Sequence, residues 1–438
     1  MKTGILGGGL TGLTVSNLLN EPSVILEKEY ECGGLCKSLQ KDGFTFDYGG
    51  SHIIFSKDKE ALNYLVSLLG NNQNKRRRNT KIFYKGKLIK YPFENGLSDL
   101  PIQDNYECIY YYFENLLQKA KGEVKKPSNF EEWMYFTFGK GITEKYMLPY
   151  NRKIWNYEPK LMNFNWVDGR VPEPPVEDVL KSSLGINTEG YVHQLYFHYP
   201  ITGGIQSIIK ALEENVNGDI FTGFDVRSIK KNSSGKWIVS NGIEFYEFDR
   251  LISTIPLQEL VKSLEKIPDE VSTAIKNLKY NSLITIMLGI NSSNLNDISW
   301  LYIPSEEDGL FNRVSFPSNY SGKVAPAGKS SVLAEITCSV EDPIWSMNNH
   351  EILDLVTSQI DKLNFIDKEL VCFGEVRRFK YAYVIYDLNY IQNMDIINNY
   401  FEKIGIYLIG RFSEFKYLNM DACVRSAIEL TNKLNQNE

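Results

Sequence analysis

The feature that most constrains this chain is a glycine loop held between two short apolar runs near residue 1. Lys2-Thr3-Gly4-Ile5-Leu6 reads as a buried strand, Gly7-Gly8-Gly9-Leu10-Thr11-Gly12 follows at once, and a helical pattern starts near Leu10 with Leu13, Val15, Leu18 and Leu19. Ser23-Val24-Ile25-Leu26 reads as a second strand ending at Glu27. This is a complete βαβ unit carrying G-x-G-x-x-G, and it predicts an α/β chain with a Rossmann-type domain. Gly7 permits the tight turn, Gly9 lets a pyrophosphate approach the backbone, and Gly12 lets helix and strand pack closely. The helix start offers N–H donors and a positive dipole end to phosphates. Glu27 ends the second strand, where a carboxylate can bind ribose hydroxyls.

The next stretch separates FAD from NAD. Glu27-Lys28 leads to Gly33-Gly34-Leu35, then to Phe46-Asp47-Tyr48-Gly49-Gly50-Ser51-His52. Paired glycines let backbone pass close to a flat cofactor, where any Cβ would obstruct. The expected FAD contacts here are Gly7, Gly9, Leu10, Thr11, Gly12, Glu27, Lys28, Gly34, Leu35, Gly49, Gly50, Ser51 and His52.

At 438 residues the chain exceeds what one core supports, so two or three domains are expected. Residues 81–91 alternate around Lys85-Gly86-Lys87, a hairpin pattern. From about 97 to 183 long helical patterns rich in Tyr, Phe and Trp appear, with proline punctuation at 172–175. Residues 236–254 read as a hairpin around Asn241-Gly242 followed by a strand, and 280–290 and 330–340 as parts of a second sheet. Ile406-Tyr407-Leu408-Ile409 reads as a buried strand, followed by a helix from about Asp421. The expected architecture is an FAD-binding domain assembled from discontinuous segments (1–96, 186–260 and 376–438). An inserted helical substrate domain (97–185) and an antiparallel β-sheet substrate domain (261–375) interrupt it.

Charge and cysteine usage exclude several classes. A net charge of -6 gives no global attraction to nucleic acid or anionic lipid. Lys75-Arg76-Arg77-Arg78 reads as a solvated turn leading into the hairpin. No apolar run approaches ~18 residues, so no membrane insertion is expected, and no signal-peptide layout precedes the first strand. Cys32 and Cys36 lack a second pair to complete a zinc site, and His193 and His198 are not at i, i+4, so structural roles and no metal are expected. Scattered cysteines fit reduced thiols in a cytoplasmic protein. The chain has no G-x-S-x-G elbow and no Cys with an evident His partner, so no protein nucleophile stands out.

The chain resembles the flavin superfamily of amine oxidases, protoporphyrinogen oxidase and UDP-galactopyranose mutase, and within it the mutases, over nearly its whole length. Tyr150-Asn151-Arg152-Lys153-Ile154-Trp155 is similar to the mutase Y-x-x-K-x-W segment, and Arg170 falls where the mutases carry a substrate-domain arginine. Tyr199-Pro200-Ile201-Thr202-Gly203-Gly204 resembles their P-x-G-G turn. Phe311-Asn312-Arg313-Val314, followed by Ser318-Asn319-Tyr320-Ser321, resembles the eukaryotic-type arginine loop. Gly410-Arg411-Phe412 and Lys416-Tyr417-Leu418-Asn419-Met420-Asp421 resemble the family's closing G-R-x-x-x-Y-x-Y-x-x-M-D. Two departures bear on sugar specificity: Glu94 stands where eukaryotic-type mutases tend to carry Gln, and Ser51-His52 replaces the proline-histidine of bacterial mutases.

The resemblance implies a redox-neutral isomerase. It would interconvert UDP-galactopyranose and UDP-galactofuranose, or a related nucleotide-sugar, through a covalent adduct with N5 of reduced FAD, with NAD(P)H as a candidate reductant. It adds Gly410, Arg411, Asn419 and Met420 to the cofactor set and names His52, Arg170 and Arg313 as catalytic. It places Asn95, Tyr150, Trp155, Arg170, Arg313, Tyr383 and Tyr417 around a UDP-sugar, and it is compatible with a homo-oligomer. Two other readings share the FAD motifs: an oxidase or desaturase acting on an apolar or amine substrate, and a nucleotide-sugar sensor without turnover.

Overall fold

In the computed structural model, which describes residues 1–436 apart from 168, 169, 172, 189–194 and 294, the first βαβ unit lies at the centre of a parallel sheet. His193 lies outside the described residues. The sheet runs Ile406–Leu408, Arg250–Ser253, Thr3–Leu6, Ser23–Leu26, Gly218–Phe221, so both ends and the middle of the chain build it. Side chains alternate between two cores. Ile5, Ile25 and Ile252 face the helices Leu10–Leu18, Gln206–Glu214 and Met420–Gln436. Leu6, Leu26 and Leu251 face Leu257–Ser263, Asp269–Asn277 and Tyr390–Ile404. Burial on both faces explains why the central strands Thr3–Leu6, Ser23–Leu26 and Arg250–Ser253 read as largely apolar runs, while the edge strand Gly218–Phe221 is only half-buried.

The second sheet has seven strands, ordered Val371–Ile385, Lys279–Ile290, Ser330–Cys338, Arg313–Ser315, Trp300–Tyr302, Thr80–Tyr84, Lys87–Lys90. It is antiparallel except where Trp300–Tyr302 pairs parallel with Thr80–Tyr84. The early hairpin therefore extends this second sheet, and the long strand Val371–Ile385 runs through position 375. Helices Ile102–Ala120, Phe130–Ile142, Leu148–Trp155 and Val176–Ser183 form the helical layer, with Cys108, Tyr112, Met134, Phe138 and Val179 in its core. Gly141 makes the contact of the first two helices possible, since a Cβ there would sit 2.6 Å from the Cys108 Cα.

The basic run is not a turn. Gln73–Arg77 is a strand paired antiparallel with Tyr196–Pro200. Two of the run's cations lie near aromatic rings, Lys75 at 5.2 Å from Tyr196 and Arg78 at 4.4 Å from Tyr91 and 4.7 Å from Trp300. Long cationic side chains cover rings while keeping their charge near water, so a run of charge need not mark a loop. Among the described residues no helix is long and apolar enough to cross a membrane, and no His, Cys, Asp and Glu side chains are grouped to hold a metal ion.

Candidate active site

A cleft of about 1040 Å³ opens at the carboxyl end of the first strand, between the glycine loop, the turn Gly34–Cys36, the strand Val371–Ile385 and the segment from Arg411 to Cys423. The three motif glycines do different work. A Cβ on Gly12 would lie 2.0 Å from the Gly7 carbonyl oxygen, so that glycine serves helix–strand packing. Gly7 adopts φ +97°, and a Cβ there would meet Thr254 Oγ1 at 2.6 Å. A Cβ on Gly9 would meet no protein atom within 4 Å, so the space beside it belongs to the cleft. Helical bonding begins when the Leu13 N–H donates to the Gly9 carbonyl at 3.0 Å, so the N–H groups of Leu10, Thr11 and Gly12 have no intrahelical acceptor. An open cradle with free amides at a helix start fits the pyrophosphate of a dinucleotide such as FAD.

Glu27 lies beside that cradle. Its Oε2 accepts the Gly8 N–H at 2.6 Å and its Oε1 the Glu29 N–H at 2.8 Å, which leaves lone pairs for ribose hydroxyls. Lys28 is exposed and points to Asp225, 3.7 Å away. The other paired glycines bring backbone against backbone. The Gly33 N–H donates to the Gly8 carbonyl at 2.8 Å, a Cβ on Gly34 would lie 3.8 Å from Gly9, and a Cβ on Gly49 would lie 2.2 Å from the Leu35 carbonyl oxygen. Gly34 and Leu35 line the cleft, with Leu10 and Thr11 opposite.

The loop from Tyr48 to His52 is pinned to the second sheet by one row of side chains. Tyr302 pairs with Arg313, Arg313 with Glu335, Glu335 with Thr285, and Thr285 with Arg377, so all five share a face. From that row Thr285 Oγ1 donates to the Tyr48 carbonyl at 2.8 Å, and Glu335 Oε1 accepts the Ser51 N–H at 3.1 Å. At the start of the loop buried Asp47 accepts from Ser38, Tyr199 and the Ile205 N–H, each at 2.8 Å. Burial pushes its carboxyl up to about 6, although these donors oppose the shift.

His52 bonds the Gly50 carbonyl through Nδ1 at 2.7 Å. A carbonyl only accepts, so Nδ1 carries the proton and Nε2 presents a lone pair. Burial, reinforced by the Arg411 and Arg313 cations, lowers its titration to about 4. At neutral pH it is an uncharged imidazole lining the cleft, which suits a dipolar role better than proton donation.

Beyond His52 lies a group of cations and rings. Arg313 meets fully buried Glu335 at two points, and this outweighs the burial that works against its charge. Arg411 lines the cleft and donates to the carbonyls of Leu418 at 2.7 Å and Ala382 at 3.1 Å. Two guanidiniums lie near the Tyr417 ring, Arg170 at 4.6 Å and Arg411 at 5.5 Å from its centroid, and the Tyr417 carbonyl accepts from Arg170. Tyr383 lies 5.7 Å from Tyr417, and Trp155 meets that ring edge-on at 5.6 Å. Tyr150 stacks on Tyr146 and meets Tyr302 edge-on.

Of the residues expected from sequence, Arg170, Arg313, Arg411, Tyr150, Trp155, Tyr383 and Tyr417 thus fall into one neighbourhood. Trp155 is buried, 4% exposed, with its Nε1 spent on Asn151, so it supports the rings in front of it. Asn95 is buried and donates to Thr188 Oγ1. Gly410 lies against Thr11 with φ +88°, Met420 lines the cleft, and Asn419 is exposed, its carbonyl accepting the Cys423 N–H. Sequence reasoning missed Glu335, Tyr302, Gln206, Lys210, Arg377 and Tyr381. Glu335 carried a legible signal, as the lone acid in the otherwise uncharged strand Ser330–Cys338.

Fold and cleft together define a flavin enzyme. The model of the flavin containing amine oxidoreductase family matches residues 10–428, and the chain belongs to that family. Among solved structures, a reduced UDP-galactopyranose mutase superposes with a TM-score of 0.90 at 26% identity, covering 100% of this chain and 94% of that one. A putative protoporphyrinogen oxidase from Exiguobacterium sp. 255-15 reaches 0.79 at 16% identity over 100% and 99% of the two chains, a likeness of fold alone. The dTDP-fucopyranose mutase of Escherichia coli is 25% identical over 174 residues, 36% of this chain and 43% of that protein's length.

Proposed function

We propose that this chain is an FAD-dependent nucleotide-sugar mutase, a redox-neutral isomerase interconverting UDP-galactopyranose and UDP-galactofuranose or a closely related pair. The observation that carries the reading is the gathering of Arg170 and Arg411 around the Tyr417 ring, with Arg313 and Tyr383 beside them, at the end of the dinucleotide cleft. A nucleoside diphosphate needs such cations, and an apolar or amine substrate would be poorly matched to them. The full-length likeness to a UDP-galactopyranose mutase supports it.

Gly9 and the amides after it would hold the cofactor's pyrophosphate, and Glu27 its ribose. FAD in its reduced form would supply the nucleophile, since no side chain in the sequence stands out as one. Arg170 and Arg313 would grip the diphosphate, with Tyr383 and Tyr417 donating to the same oxygens. Held so, the nucleotide's departure and return become effectively intramolecular. His52 stays uncharged and lends its dipole.

Thermal shift with UDP tests the binding half of the proposal. UDP should raise the melting temperature of the FAD-loaded protein, and an unmoved melting curve at millimolar UDP would count against a nucleotide-sugar substrate.

A further inference from the structure

Lys153, inside the stretch from Tyr150 to Trp155, has no part in the reaction as proposed, yet it is a cation only 9% exposed. Its Nζ donates to the carbonyls of Ser305 at 2.7 Å and Gly309 at 2.6 Å. Those carbonyls belong to the loop joining Trp300–Tyr302 to Arg313–Ser315. The same helix end is gripped from the sheet: Thr337 Oγ1 donates to the Lys153 carbonyl at 2.8 Å, and Asn281 Nδ2 donates to the Trp155 carbonyl. The helix carries Tyr150 and the loop leads from Tyr302 to Arg313. The Tyr150 and Tyr302 rings touch at 5.1 Å between centroids.

We propose that Lys153 is a positioning residue that fixes the helix bearing Tyr150 against the strand pair bearing Tyr302 and Arg313, and so sets the shape of the nucleotide end of the substrate site. The identity of that ligand as UDP rests on the mutase reading. A buried cation is costly unless hydrogen-bonded, and here two carbonyls accept from it while Glu306 and Asp308 face it with opposite charge. An ammonium on a flexible stem has three rotatable donors and can reach carbonyls four residues apart in a loop. An apolar replacement leaves both carbonyls without that donor and the loop without its tether to this helix, although the Leu310 N–H still donates to Gln359 Oε1.

The test uses FAD-loaded wild type and Lys153→Met, with three readouts: backbone amide exchange in 303–312, UDP affinity and FAD content. Exchange in 303–312 should quicken and UDP affinity fall about tenfold, the effect of losing a buried charged hydrogen bond, while FAD content stays stoichiometric. Should Lys153→Met fail to fold, Thr337→Val removes the hydroxyl that holds the Lys153 carbonyl and should move both readouts the same way, by less. A lower melting temperature with unchanged UDP affinity reveals a purely structural lysine and overturns the proposal. So does unchanged exchange in 303–312. Wild-type protein that binds no UDP contradicts the mutase reading instead, and Lys153's hold on the loop then stands or falls on the exchange measurement alone.

Discussion

Arg313 and Glu335 form a two-point ion pair, Nε to Oε1 at 2.8 Å and Nη2 to Oε2 at 2.6 Å, on directly opposed positions of neighbouring strands. The carboxylate is fully buried and also accepts the Ser51 N–H, so one acid links the substrate-side arginine to the loop beside the cofactor cleft. Arg313→Ala should weaken UDP binding and leave FAD content intact. It should also lower stability by about 3–5 kcal/mol, because a buried carboxylate loses its partner. Arg313→Met combined with Glu335→Leu should recover much of that stability and none of the UDP affinity. Melting curves and UDP titrations of the two proteins separate these effects, and loss of flavin from Arg313→Ala would contradict the role given to it.

The motif glycines can be told apart by substitution. Gly12→Ala places a Cβ 2.0 Å from the Gly7 carbonyl oxygen and should impair folding. Gly9→Ala meets no protein atom within 4 Å and should fold with near-normal apoprotein stability while losing FAD affinity. Apoprotein melting and flavin titration together decide it. Equal loss of stability in both variants would show that Gly9 is a packing residue.

His52 gives a pH dependence of known sign. Its titration falls from the ordinary 6.5 to about 4 in the folded protein, so its stabilisation is full above 6.5 and is lost as pH falls through 4. Asp47 runs the other way: raised from 3.8 to about 6, its contribution is full below 3.8 and is lost as pH rises through 6. The two oppose each other between pH 4 and 6, so the wild-type curve alone hides both. The melting temperature of wild type relative to His52→Gln should decline as pH is lowered from 7 to 4. Parallel curves would mean that His52 titrates normally.

Tyr417 would act through its ring as well as its hydroxyl, since two guanidiniums lie within cation–π range of the ring. Tyr417→Phe keeps that face and should cost UDP affinity only the one hydrogen bond, about 1 kcal/mol. Tyr417→Ala frees both arginines from the ring and should cost several times more. Calorimetric titration with UDP compares them, and equal losses would place the whole effect in the hydroxyl.

Much of this is legible in the sequence. The βαβ unit is legible because a glycine loop between two largely apolar strands has few other folds open to it. The hairpin near Asn241-Gly242 is legible because Asn and Gly favour a reversal, here a loop over 241–244 in which the Asn241 side chain accepts the Ile243 and Glu244 N–H groups. Val371–Ile385 is hard to read because Glu375, Arg377, Arg378 and Lys380 break up the apolar alternation of an edge strand. With it went Arg377 and Tyr381, both lining the cleft. Glu335 signalled that something must pair with it, but the choice of Arg313 depends on strand register, which local pattern does not encode. The Lys75–Arg78 run hides its strand because a basic run looks like a solvated turn when the rings it covers, Tyr196, Tyr91 and Trp300, lie far away in sequence.

The most direct test of the mutase proposal is an anaerobic incubation of FAD-loaded protein with UDP-galactopyranose, with and without dithionite, the products separated by chromatography. We expect UDP-galactofuranose to form with reduced flavin and not with oxidised flavin, with no net consumption of reductant. Absence of any ring-contracted product from UDP-galactopyranose, and from dTDP-fucopyranose in a parallel incubation, with the flavin fully reduced would contradict it.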